Sequence, residues 1–185
     1  MEIFINIDKW LFGLINGQFV NSFFDKFFPY ITQIKNWQIL FIVLALWLLW
    51  KGGKKGRITI IVLGITILAA DQISSTFLKN LVERLRPCND ITMTVRLLVD
   101  CGPGFSFPSS HAVNTFAAAF VLSRFYHENR YVFYTIAGLI SYSRVYVGVH
   151  YPADIIAGAL LGIIIAYLIV IIYDYVTKKI KTLSV

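Results

Sequence analysis

Apolar residues along this 185-residue chain gather into five runs separated by short polar stretches: Trp37 to Trp50, Ile58 to Leu78, Ala112 to Tyr126, Tyr131 to Val147 and Ile155 to Tyr173. Each approaches the roughly 20 apolar residues that cross a hydrocarbon core, the first, third and fourth only with help from their flanks. Ahead of them, residues 2–28 set phenylalanines and Trp10 among polar residues at near-helical spacing. That spacing predicts an amphipathic helix lying in the membrane interface, which Pro29 is expected to break. The expected fold is therefore all-α: a polytopic membrane helical bundle of about five transmembrane helices, six if the N-terminal segment spans, plus an N-terminal amphipathic interfacial helix. No repeat or heptad pattern divides the chain, so residues 1–185 read as one domain. Its N-terminus lacks the basic, apolar and small-residue succession of a cleavable signal peptide.

Composition sharpens the membrane reading. Hydrophobic residues make up 57% of the chain and the mean hydropathy is +0.69, above the roughly half-apolar make-up of soluble domains. The net charge of +7 matters less than where the charges sit. Lys51, Lys54, Lys55 and Arg57 lie between the first two runs, Arg124 and Arg130 between the third and fourth, and Lys178, Lys179 and Lys181 after the fifth. The positive-inside rule assigns these ends to the cytoplasm. Residues 79–111 and 144–154 then face the extracytoplasmic side. Cys88 and Cys101 fall in the first of those segments, where an oxidising compartment permits a disulfide closing a loop of about 14 residues, worth roughly 3 kcal/mol. Two free thiols are the alternative.

The chemistry-bearing residues concentrate in the same two segments: KNLVERLRP from Lys79 to Pro87, FPSSH from Phe107 to His111 and SRVYVGVHYPAD from Ser143 to Asp154. Lys79, Arg86 and Arg144 supply cations suited to the equatorial oxygens of a transferring phosphoryl group. Lys79 and Arg86 are seven apart and share a helix face if the helix runs on to Pro87. Asp154 lies four residues beyond His150 at a helix entry, so it can orient one imidazole nitrogen and leave the other free to attack. Taken alone, Asp154 would read as a helix-initiating acid. His111 opens a helix and can serve as general acid or, alternatively, as a structural cap. Ser109 and the Ser110 backbone N–H offer phosphate contacts at a helix N-terminus, and a Ser109 nucleophile is the competing scheme. Asp71, Gln72, Ser74, Ser75 and Thr76 form a polar cluster that should face the bundle interior, either for interhelical hydrogen bonds or for the site. Arg84 and Arg96 read as spare cations, for headgroup contacts or surface charge, and His127 as solvated and inert. No cluster of metal ligands is apparent, and no cofactor or nucleic-acid partner is expected. The expected partner is a membrane lipid phosphate; oligomeric state is not legible.

The order Lys-x6-Arg-Pro, Pro-Ser-x-His and Ser-Arg-x5-His-x3-Asp resembles the three-part signature of the type 2 phosphatidic acid phosphatase superfamily across residues 79–154. Ser110 stands where that pattern usually has glycine. The resemblance implies a helical bundle and a metal-independent lipid phosphatase with a phosphohistidine intermediate. Position by position, His150 becomes the nucleophile, His111 the general acid and Asp154 the residue orienting His150. Lys79, Arg86, Ser109, Ser110 and Arg144 would hold the phosphate. It further implies a bacterial inner membrane enzyme with a periplasmic site and cytoplasmic C-terminus, acting on lipid A 1-phosphate. The alternatives are phosphatidylglycerol phosphate or undecaprenyl diphosphate. A non-catalytic lipid-phosphate carrier is the contrasting class.

Overall fold

The computed structural model describes residues 2–183, with the side chain of Lys181 outside the described residues. Eight α-helices follow in order: α1 (Glu2–Gly13), α2 (Ser22–Thr32), α3 (Gln38–Lys51), α4 (Gly53–Asp71), α5 (Lys79–Val82), α6 (Ser110–Phe125), α7 (Arg130–Tyr146) and α8 (Pro152–Leu183). A π-helical stretch, Gln72–Leu78, joins α4 to α5.

Helix α6 is the central post. Its Val113, Ala117 and Val121 pack against Val62 and Ala70 of α4 and Ile165, Ala166 and Val170 of α8. Small residues allow backbones to approach closely where two apolar helices meet. Gly158 and Gly162 of α8 do this here: an added methyl at Gly158 would lie 2.8 Å from the Ser109 carbonyl, and one at Gly162 would strike the Val113 carbonyl. The N-terminal end of α6 is thereby pinned against the first turns of α8. A second cluster sets Phe28 of α2 under Tyr146, Val147 and Val149, beside Cys88. Cys88 and Cys101 are joined in a disulfide.

The expectation of five or six transmembrane helices is corrected by the helices themselves. Among the described residues, two are long and apolar enough to cross a membrane: the run Gly53–Asn89 and Pro152–Ile180. The 14-residue α3 is apolar but short; at 1.5 Å per residue it reaches only about 21 Å of a roughly 30 Å core. Helices α6 and α7 have 16 and 17 residues, and their Ser, Asn, Thr, His and Arg residues dilute the apolar content that the runs seemed to offer. Interior-facing polar residues explain the overcount.

The N-terminal segment also differs from one helix ended by Pro29. It forms α1, a π-helical turn at Leu14–Gln18, and α2, which continues through Pro29 to Thr32. The break comes earlier, at Asn21, whose side chain accepts the Phe24 N–H at 2.9 Å and caps α2. Such capping offsets one of the orphan donors of a new helix.

Candidate active site

Two helix N-termini and one loop converge to build the site. Ser109 precedes α6, and its N–H donates to the Asp154 carbonyl at 3.1 Å, so the start of α6 is tied directly to the first turn of α8. Gly148, at φ +91°, turns the chain between α7 and α8, and an added methyl there would stand 2.8 Å from the Arg96 carbonyl. The tight turn folds back: the Val149 and His150 N–H groups both donate to the Arg144 carbonyl, at 3.1 and 3.2 Å. Arg144 and His150 are thus held to one geometry by backbone alone.

His150 and Asp154 are both buried. His150 Nδ1 lies 3.4 Å from Asp154 Oδ2, which also accepts the Tyr151 N–H at 2.8 Å. A carboxylate only accepts, so Nδ1 carries the proton and Nε2 keeps its lone pair. Burial pushes the His150 imidazole down to about 4, against the opposing pull of Asp154. His111 is pushed down to about 3, by burial first and then by the charges of Arg144 and His150. Its Nε2 is 3.2 Å from the Thr32 carbonyl; since a carbonyl also only accepts, that nitrogen carries the proton and Nδ1 is the free position. Both histidines are therefore neutral at pH 7.

Three cations surround them. Arg144, almost fully buried, donates from Nη1 to Thr32 Oγ1 at 2.8 Å, while its Nε has no partner among the described residues. Ser109 Oγ is likewise buried and without a partner among the described residues. Buried polar atoms are ordinarily satisfied, and leaving one unpaired costs about 1–3 kcal/mol. Arg86 is anchored by the Gly104 and Pro103 carbonyls, each at 3.2 Å. The charges of Arg86, Arg144, Asp154 and Asp71 all bear on the Lys79 ammonium. The shared helix face expected for Lys79 and Arg86 is not formed. Helix α5 ends at Val82, and Glu83 at φ 51° turns the chain out of it, so a loop rather than a helix carries Arg86 to the site.

Ser110 Oγ pairs with Ser75 Oγ at 2.9 Å, and Asp71 accepts from Ser75 and Asn114, each at 3.2 Å. Asp71 at the end of α4 and Ser75 in the π-helical stretch after it thus hydrogen bond across to α6, whereas Gln72 and Thr76 of the expected interior cluster are exposed. Comparison with protein families now adds to this geometry: the PAP2 superfamily model matches residues 59–178, more than half of the chain and all three motifs. The chain belongs to the PAP2 superfamily.

Relatives and solved structures agree. Lipid A 4'-phosphatase of Porphyromonas gingivalis is 29% identical over 97% of this chain and 78% of its own length. The Bacteroides thetaiotaomicron protein of the same name is 33% identical over 88% of this chain and 75% of its length. The crystal structure of Aquifex aeolicus LpxE superposes with a TM-score of 0.67 at 28% identity, covering 87% of this chain and 93% of that one. As a PAP2 protein the chain is a membrane lipid phosphatase of the metal-independent kind. Among the described residues, no three His, Cys, Asp or Glu side chains are grouped to hold a metal.

Three residues of this PAP2 site escaped the sequence reading. Arg84, a spare cation by sequence, binds Asp154 Oδ1 at 2.8 Å; its other arm binds Asp8 of α1 at 2.6 Å. Thr32 touches both His111 and Arg144. Asp8 gave no signal of its own: it is one of several polar residues, with Glu2, Asn6 and Lys9, in an amphipathic helix. Arg96, also read as spare, pairs with Asp25 at 2.7 Å and lies over the Tyr146 ring. His127 stands beside Arg130 in the turn opposite the site.

Proposed function

We propose that this PAP2 phosphatase removes a phosphate monoester from lipid A through a phosphohistidine intermediate. The observation that carries the reading is the pairing of two unsatisfied buried groups, Ser109 Oγ and Arg144 Nε, with two neutral histidines whose protonated nitrogens are already committed. A phosphate would satisfy both groups and leave His150 Nε2 as the attacking atom. In the first step Nε2 bonds to phosphorus and the bond to the lipid oxygen breaks. That oxygen takes a proton from His111 Nδ1, which gains it from water as the arriving phosphate dianion offsets the surrounding cations. Asp154 stabilises the imidazolium that forms on His150. Water then attacks the phosphohistidine, His111 takes its proton, and inorganic phosphate leaves. Lys79, Arg86, Arg144, Ser109 and the Ser110 N–H hold the phosphoryl oxygens throughout.

The relatives bear on the position on lipid A. The 1-phosphate is what the motif resemblance implies; the two lipid A 4'-phosphatases, matching nearly the whole of this chain, favour the 4'-phosphate. A polyprenyl diphosphate is the second reading, supported by 37% identity over 68% of this chain to undecaprenyl-diphosphatase of Sulfolobus acidocaldarius. The site is proposed to face the periplasm, with the C-terminus in the cytoplasm. Supporting this, the basic start of α4 and the C-terminal half of α8 meet at one end: Lys55 lies over the Tyr126 ring, and Arg124 pairs with Asp174. That is the end the positive-inside rule assigns to the cytoplasm, and the site is at the other.

The test is release of inorganic phosphate by purified protein in detergent, with chelator present, from lipid A, phosphatidylglycerol phosphate and undecaprenyl diphosphate. Mass spectrometry of the lipid A product locates the lost group. Loss of the 4'-phosphate is expected. Release from none of the three, or activity abolished by the chelator, would contradict the reading.

A further inference from the structure

Arg84 and Asp8 stand outside the set proposed to hold phosphate, yet they enclose the base of the site. Arg84 follows the left-handed Glu83, and its carbonyl accepts the Ser106 N–H at 2.8 Å, which ties the motif to the following loop. The guanidinium spans two carboxylates, Asp154 Oδ1 at 2.8 Å and Asp8 Oδ2 at 2.6 Å, with its carbon 4.0 Å from the centre of the Tyr151 ring. Asp8 continues the circuit: its Oδ1 accepts the Ala153 N–H at 2.8 Å in the first turn of α8. Phe12, one turn further along α1, packs on Tyr151 with ring centres 5.5 Å apart. Segments remote in sequence therefore meet at one guanidinium.

We propose that Arg84 and Asp8 are positioning residues for the His150–Asp154 pair, which makes helix α1 part of the catalytic apparatus. The inference rests on the reading of His150 as nucleophile given above. Two physical arguments support it. First, Asp154 Oδ2 serves both the Tyr151 N–H at 2.8 Å and His150 at 3.4 Å. A carboxylate free to turn would exchange its two oxygens, and a guanidinium fixed on Oδ1 prevents this. Second, a lone arginine on Asp154 would cancel the charge that His150 needs as its ring becomes cationic. Sharing Arg84 with Asp8 leaves one net negative charge on the three groups, so Asp154 is oriented without being neutralised.

The experiment compares Arg84→Ala, Arg84→Lys and Asp8→Asn in purified full-length protein, using the lipid of the panel that the unaltered enzyme turns over fastest. Because Arg84 is not placed on the phosphate, Arg84→Ala should lower kcat by about 10- to 100-fold, with KM and inhibition by inorganic phosphate changed less than about twofold. Arg84→Lys, a point charge in place of a fork, should restore kcat only partly. Asp8→Asn should lower kcat about 3- to 10-fold, and combining it with Arg84→Ala should add nothing, as expected for residues acting as a unit. A raised KM and weaker phosphate inhibition with kcat kept would overturn the proposal by making Arg84 a phosphate ligand. Unchanged kcat with a lowered unfolding temperature would reduce both residues to structural contacts. If Arg84→Ala does not fold, Arg84→Lys and Asp8→Asn are judged by the same split. Turnover surviving in His150→Ala would sink the nucleophile reading itself, whereas silent Arg84 and Asp8 variants in an enzyme that still needs His150 sink only this proposal.

Discussion

Helix α8 carries an arginine–aspartate pair near each end, and the two pairs differ in almost everything but composition. Near its start, Asp154 is fully buried and meets Arg84 at 2.8 Å, with Asp8, Tyr151 and His150 completing the circuit. Twenty residues on, Asp174 meets Arg124 at 3.1 Å, with both side chains nearly half exposed. Exposed pairs of that kind contribute about 0–1 kcal/mol because water and salt screen them and their long side chains lose freedom. A buried pair is different in kind: removing one partner strands the other charge in a medium that cannot solvate it. On the proposed reading, charge pairing serves the site where burial and a second carboxylate accompany it.

The sharpest way to break the contrast is Asp154→Asn. It keeps the shape but removes the charge that fixes the His150 proton on Nδ1, so kcat should fall by about 10³- to 10⁴-fold, as for an orienting carboxylate in a triad. A loss below tenfold, in steady-state phosphate release, would mean that His150 needs no orienter. Next in size is Gly158→Ala. Its methyl would stand 2.8 Å from the Ser109 carbonyl and 2.9 Å from the Ala112 side chain, forcing α6 from α8 at the point where Ser109 meets Asp154. Overpacking of this sort costs about 1–3 kcal/mol, and about tenfold in kcat is expected with it. Thermal unfolding in detergent and initial rates check both.

The response to acid is read in stability rather than in rate. His111 and His150 hold pKa values of about 3 and about 4 in the folded protein, against an unfolded value near 6.5. Between those limits the unfolded chain binds protons that the folded one does not. Stability should thus be full above about pH 6.5 and decline as pH falls toward 4, by about 1 kcal/mol per pH unit for each histidine. A flat unfolding midpoint from pH 7 to pH 4.5 would contradict their burial as neutral groups. Smallest is Arg124→Ala at the exposed pair: less than about 0.5 kcal/mol in stability and no change in rate.

Most residues of the candidate site were legible in the sequence, its scaffold only partly so. Lys79, Arg86, Ser109, Arg144, His150 and Asp154 stood out because phosphate chemistry demands those residue types, and the structure brings them to one end of the bundle. The Lys79–Arg86 helix was misjudged because nothing in NLVER announces a left-handed residue at Glu83. Transmembrane count was overestimated because apolar runs do not reveal that α6 and α7 are short helices spending polar positions on the interior. Arg84 was hidden by its nearness to Arg86, since two arginines in one motif give no sign of which faces phosphate and which faces a carboxylate. Asp8 needed the tertiary fold: only packing brings α1 beside α8, across 145 residues of chain.

The central claim, that His150 is the nucleophile, is tested most directly by trapping. Purified enzyme mixed with phosphate-labelled lipid and quenched in base within a turnover should yield a phosphorylated peptide by mass spectrometry. The account predicts an acid-labile phosphate on His150 that is absent from His150→Ala, whose phosphate release should also disappear. Label on Ser109 instead, or phosphate release that persists in His150→Ala, would contradict it.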